Sequence, residues 1–140
     1  MKAKRAITNR SDCPISYALD LVGDKWTLLI LRDMIFAGKT SYGDFLKSDE
    51  KIATNILADR LNTLTDEGFV IKEVSEVNKS KITYSLTQKG ISVLPIIIEL
   101  SIWGSNNSPT ELNNALPDIF RKDKEKTIKD FSKVLKKRLD

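Results

Sequence analysis

Apolar residues recur along this chain with two periods, and the changes of period mark its elements. Ile15, Ala18, Leu19 and Val22 follow the i, i+3, i+4, i+7 spacing of a helix face. Cys13-Pro14 opens that helix, with proline suited to its first turn, and Gly23-Asp24 stops it. Residues 25–36 (KWTLLILRDMIF) form a second helix that is apolar on most sides, as expected of a helix at the centre of a small domain. Ser41 can cap a short third helix, YGDFLKS, that turns Tyr42 and Phe45 inward. After the polar turn DEK a fourth helix begins near Ala53, with Leu57, Leu61 and Leu64 on one face and Gly68 as its stop.

The period then drops to two. Residues 69–76 have strand composition, and Ile82, Tyr84 and Leu86 alternate with polar neighbours. The loop VNKSK between them gives a β-hairpin with a basic tip. Thr87 caps a long helix over 88–103 with two apolar stripes: Ile91, Leu94, Ile98 and Ile102 on one, Val93, Ile97, Leu100 and Trp103 on the other. Pro95 lies inside it and predicts a kink or a broken start. Residues 104–109 read as a linker, and a last amphipathic helix follows with Ile119 or Phe120, then Ile128, Phe131, Leu135 and Leu139.

A short helix and turn feeding a second helix is a helix-turn-helix unit, and the hairpin after it makes a wing. The expected fold is mainly α with a small β-hairpin wing, a winged helix-turn-helix with flanking dimerisation helices. The division is a flexible basic arm (1–12), the winged domain (13–104), then a linker and helical extension (105–140). The second stripe of the long helix is one face too many for so small a domain. Together with the first helix and the tail it is expected to meet another subunit.

Composition removes chemistry more than it adds any. Histidine is absent and Cys13 is the lone cysteine, so there is no Ser-His-Asp triad, Cys-His pair or His/Cys metal site. No Gly-rich phosphate loop occurs. An enzyme, a metal and a cofactor are therefore not expected. The longest apolar runs are too short to span a membrane, and the basic N-terminus lacks the apolar core of a secretory signal, so a cytoplasmic protein is the default. The net charge of +4 permits nucleic acid as a partner, but its distribution is uneven. Residues 121–140 hold nine basic and four acidic groups, leaving 14 basic and 15 acidic in the first 120. Bulk charge alone therefore does not identify a nucleic-acid surface.

Four segments together carry a resemblance: CPISYALDLVGDKWTLLILRDM, TSYGDFLKS, KIATNILADRLNTLTDEGFV and KITYSLTQKG. In order and spacing they resemble the HxlR family of bacterial transcriptional regulators, related to the MarR group. The resemblance covers roughly residues 13–104. It implies a dimeric winged helix that binds double-stranded DNA and represses or activates nearby genes. The wing tip VNKSK lacks the prolines often seen there, and the tail beyond Asn107 lies outside the shared region.

The fourth helix is then the candidate recognition helix. With Leu57 inward, Asn55, Asp59, Asn62 and Asp66 point most directly outward, flanked by Thr54 and Ala58. An ordinary solvated face carries Lys and Glu. Here the groups are short, and short groups let a helix axis approach base edges, where Asn pairs with adenine, Asp accepts from cytosine, and a Thr methyl or Ala touches thymine. Asp66 is expected beyond the groove. Asp59 either pairs with a neighbouring cation or reads cytosine, and Arg60 either reaches a phosphate or bridges to a carboxylate. Lys25, Lys39, Thr40, Ser41, Lys79 and Lys81 are candidate backbone contacts. Cys13, at a helix N-terminus, is a candidate redox sensor. Trp26 and Trp103 read as core or dimer packing. A winged helix used only for protein–protein contacts is the alternative. The operator, the regulated genes and any small-molecule effector are not written in the sequence.

Overall fold

The computed structural model describes residues 11–109 and 123–139. Four helices come first: α1 (Pro14–Val22), α2 (Lys25–Ala37), α3 (Tyr42–Leu46) and α4 (Thr54–Asp66). Strands β1 (Val70–Val74) and β2 (Ile82–Leu86) pair antiparallel, with Val70 opposite Leu86 and Val74 opposite Ile82. Helices α5 (Gln88–Ile91), α6 (Leu94–Asn107) and α7 (Lys124–Lys137) follow. This is a winged helix-turn-helix, as the order of periods predicts.

Helix α2 runs through the centre. Leu31 is fully buried, with Ile30, Met34 and Ile35 nearly so. Asp24 caps its start by accepting from the Thr27 amide at 2.9 Å. Gly38 ends it in the left-handed region at φ 64°, which only glycine adopts without strain. Ser41 caps α3 by accepting from the Asp44 amide, and a bridge between Ser41 and Thr83 lays the α2–α3 connection along β2.

The wing is shorter than its composition suggests, five residues in each strand. Beyond Val74 one more backbone bond, from the Ser75 amide to the Lys81 carbonyl, leads into a turn that side chains help to hold: Ser75 Oγ accepts from the Asn78 amide, and Asn78 Oδ1 accepts from the Ser80 amide and hydroxyl.

The expected long helix is two helices. Pro95 lacks the N–H that would continue the α5 ladder, so the chain breaks around Ser92-Val93 and restarts with proline in the first turn of α6. Helix α6 also runs past Trp103 to Asn107, so the linker begins later than expected; Asn107 Nδ2 donates to the Trp103 carbonyl at 2.9 Å.

The two stripes have different fates. Ile91, Leu94 and Ile98 of the first are buried; the second divides, with Val93 and Ile97 buried and Leu100 and Trp103 exposed, Trp103 at 69%, and Ile96, in neither stripe, is exposed as well. On α1, Ile15 and Leu19 are exposed and only Val22 is buried. Helix α7 turns its stripe onto its own chain: Leu135 joins the core, and the Phe131 ring stacks on Phe36 with centroids 5.5 Å apart. These residues lie beside α2, α5 and α6, while Val134 and Leu139 of the tail stay exposed. Ile119 and Phe120 lie outside the described residues, as does the basic arm up to residue 10.

Candidate nucleic-acid interface

Helix α4 is anchored from beneath and bare on top. Leu57, Leu61 and Leu64 are buried to within 1%. Thr54, Asn55, Ala58, Asp59, Asn62 and Asp66 are all exposed. The row read from 100° spacing is the outward row. Ala53, the residue before the helix, supplies no side-chain cap, so the first amides of α4 have no side-chain acceptor of their own. Tyr42 Oη donates to the Thr54 carbonyl at 2.8 Å and ties α3 to the first turn of α4.

Arg60 bridges two carboxylates. Its Nε lies 2.8 Å from Asp24 Oδ2, and its Nη1 lies 2.7 Å from Asp59 Oδ2. The guanidinium beside Asp24 holds that carboxyl below its ordinary range, helped by the Thr27 amide, and Asp24 in turn raises Arg60. Of the two readings open for each residue, Asp59 takes the neighbouring cation and Arg60 takes the carboxylates. Asp24 does double duty as cap of α2 and anchor of Arg60.

Lys39 is likewise committed. Its Nζ donates to Ser48 Oγ at 3.1 Å and pairs with Asp33 at 3.3 Å. Asp33, 7% exposed, also receives Arg32 and the Ser48 hydroxyl, and Arg32 reaches on to Glu50 with two contacts near 2.8 Å. Arg32 holds the Glu50 carboxyl down at about 2. The cluster clamps the end of α2 to the turn before α4. Lys39, a candidate contact to the DNA backbone, has its ammonium turned into that cluster in this arrangement.

The remaining cations are displayed. Lys25 lies over the Trp26 ring, 4.4 Å from its centroid, and is exposed; Trp26 itself packs against the core. Lys79 and Lys81 stand exposed on the wing turn and make no ion pair among the described residues. Thr40 is exposed, and its carbonyl accepts from the Tyr84 amide at 2.8 Å.

Three features escaped the sequence reading. Thr63 extends the exposed row of α4, its hydroxyl donating to the Asp59 carbonyl. Lys51 is exposed just before α4 at φ 56°, the left-handed region; its place in the turn DEK was the available signal. Val77, 99% exposed, is an apolar residue at the wing turn. Cys13 is exposed at the start of α1, beside Ile15. Among the described residues no group of His, Cys, Asp and Glu could hold a metal ion. No helix among them is long and apolar enough to cross a membrane.

A buried-face helix with short outward groups, entered through a turn and followed by a hairpin with a basic tip, defines the winged helix-turn-helix class, whose members named below are transcriptional regulators and not enzymes. The model of the HxlR-like helix-turn-helix family matches residues 21–112, and the chain belongs to that family. It is 32% identical over 104 residues to YybR of Bacillus subtilis (strain 168), an uncharacterised helix-turn-helix-type transcriptional regulator, covering 74% of this chain and 82% of that one. Among solved structures it is similar to PA1607, a candidate transcription factor, with TM-score 0.65 and 37% identity over 74% of this chain and 72% of the other. It is similar also to the oxidised form of the redox regulator HypR, with TM-score 0.63 and 30% identity over 70% of this chain and all of the other.

Proposed function

We propose that this protein binds a pseudo-palindromic operator as a homodimer, with α4 in the major groove and the wing on the flanking backbone. The observation that carries the reading is the outward row of α4. Thr54, Asn55, Ala58 and Asn62 are exposed, short and uncharged; of the two carboxylates in the row, Asp59 is paired with Arg60 and Asp66 lies at the far end of the helix. Such a row suits base-edge contact at close range. Lys25, Lys79 and Lys81, with Thr40 and Ser41, supply the phosphate contacts that set its register, and Lys51 joins them. Work on DNA puts the protein in the cytoplasm.

The second subunit covers the apolar residues that the fold leaves outside: Ile15 and Leu19 on α1, and Ile96, Leu100 and Trp103 on α6. A two-fold pair would set two α4 helices on half-sites about 34 Å apart, one turn of DNA. Selection of binding sites from random DNA tests the whole reading. An inverted repeat spaced by one turn is expected; enrichment of no sequence would favour a winged helix used for protein contacts instead. Leu100→Glu is expected to halve the mass measured by light scattering, and an unchanged dimer would place the interface elsewhere.

Two observations support regulation through Cys13. Its thiol is exposed beside the uncovered α1 stripe, and the chain is similar to a redox regulator. With a single cysteine per chain, a two-electron oxidant such as diamide would join two subunits by a disulfide or attach a small thiol. Operator binding by Cys13→Ser is expected to ignore diamide. A response equal to that of the unsubstituted protein would remove Cys13 from the mechanism.

A further inference from the structure

Helix α7 does more than close the core, because it also builds one wall of a cleft. The cleft measures about 240 Å³ and lies between the end of α2, strand β2 and the last turn of α7. Its floor is apolar: Met34, Leu86 and Leu135 are buried there. Its mouth is polar and exposed, with Thr40, Ser85 and Arg138. No acidic residue lines it. Lys39 borders it, but that ammonium is committed to Asp33 and Ser48. Arg138 makes no ion pair among the described residues.

These parts fix the chemistry of an occupant. Both α2 and α7 end at the cleft, and a helix C-terminus carries about half a negative charge. A cation is needed to outweigh those ends before an anion gains anything, and Arg138 is the one with nothing else to do. A guanidinium takes a carboxylate through two parallel N–H···O bonds. Beside the apolar side chains of the floor, the buried part of the lining holds Tyr84, whose ring adds apolar surface and whose phenol is its one polar side chain, so the rest of the ligand must be mostly apolar. A dry cavity of about 150 Å³ is enough for a benzene ring. The volume here therefore admits one ring and a carboxylate, and little more.

We propose that this cleft is a binding site for a small monocarboxylate with a single ring or an equally compact apolar body. The carboxylate sits on Arg138, and the apolar part lies against Met34, Leu86 and Leu135. Part of the site comes from α7, beyond the residues 21–112 that the family model covers. It touches the α2–α3 connection at Thr40 and the wing strand at Ser85. An occupant would thus bridge the tail to the two elements that carry α3 and the wing.

The test is a titration of the full ¹⁵N-labelled chain, followed by amide chemical shifts, with benzoate, benzamide and acetate as probes. Benzoate is expected to give saturating shifts at Gly38, Thr40, Ser85 and Arg138. Benzamide lacks the charge and acetate lacks the ring, and each is expected to bind at least tenfold more weakly. Arg138→Gln should lower benzoate affinity at least tenfold while leaving benzamide unchanged, and Arg138→Lys should recover part of the loss. The guanidinium is at the surface, so an otherwise unchanged spectrum verifies that the variants fold. Non-saturating shifts, equal benzoate affinity in Arg138→Gln, or shifts confined to the exposed faces of α1 and α6 would each overturn the proposal. No DNA is present in this titration, so its outcome is separate from that of the operator experiment.

Discussion

Tyr42 holds the Thr54 carbonyl at 2.8 Å, twelve residues along the chain and across the turn that joins α3 to α4. The bond fixes the first turn of the candidate recognition helix, where base contact is expected. Tyr42→Phe keeps the ring and deletes only the donor. It is expected to lower stability by about 1 kcal/mol or less, as one part-exposed hydrogen bond would. The larger effect should fall on the preference for operator over random DNA, measured by fluorescence anisotropy. A variant with unaltered preference would show that α4 keeps its entry angle without the tyrosine.

Gly90 is required by a close approach. A Cβ there would lie 2.3 Å from the Phe69 carbonyl oxygen and 3.0 Å from a Leu86 methyl. The backbone cannot retreat, because the Thr87 amide donates to that same oxygen at 3.0 Å and the Gly90 amide is tied to Thr87 Oγ1. Gly90→Ala is expected to cost about 3 kcal/mol and roughly 10 °C of melting temperature. Thermal unfolding by circular dichroism measures it, and a loss below one degree would contradict the close approach.

Acid stability has a stated direction. Arg32 holds Glu50 at about 2 in place of the usual 4.5, and Arg60, with the Thr27 amide, holds Asp24 below its ordinary value. A carboxyl depressed in the fold contributes fully above its unfolded pKa and loses that contribution as pH falls through the folded one. The part owed to Glu50 is thus complete above about pH 4.5 and fades toward pH 2. Urea midpoints between pH 7 and 2 should fall less steeply for Glu50→Gln. An identical acid slope would mean that the pair with Arg32 does not persist in solution.

Charge and sequence reading are expected to separate on DNA. Lys79→Ala or Lys81→Ala should weaken binding to every sequence alike and reduce the salt slope by about one for each phosphate left without its lysine. Asn55→Ala should leave the slope alone and lose about 1–3 kcal/mol of discrimination at one base pair. Anisotropy over a range of salt, with operator and scrambled duplexes, distinguishes the two. If Asn55→Ala changed affinity equally for both duplexes, α4 would not be reading bases there.

What the chain alone made legible was whatever depends on neighbours in sequence. Leu57, Leu61 and Leu64 marked the inner face of α4 and so its outer row, and Pro95 announced the break before α6. Polar side chains with distant partners could not be read this way. Arg60 finds Asp24 thirty-six residues away, and Lys39 turns in to Ser48 because buried Asp33 needs neutralising. Thr87 and Gly90 were visible as a motif, yet their reason, the Phe69 carbonyl lodged against both, appears only when the wing is closed. The apolar stripe of the tail was plain too, but periodicity says which residues turn inward and not which surface receives them.

The chain of contacts from Asp24 through Arg60 to Asp59 bears on how such a regulator could be retargeted. Grafting residues 54–62 into another winged helix would bring a carboxylate and its guanidinium to the groove but leave behind the acid just before α2 that orients them. Arg60 would then be loose, free to seize a phosphate and add affinity for any duplex. The unit that can be transplanted with these contacts intact is α4 together with position 24, a discontinuous word of which one letter lies at the head of another helix.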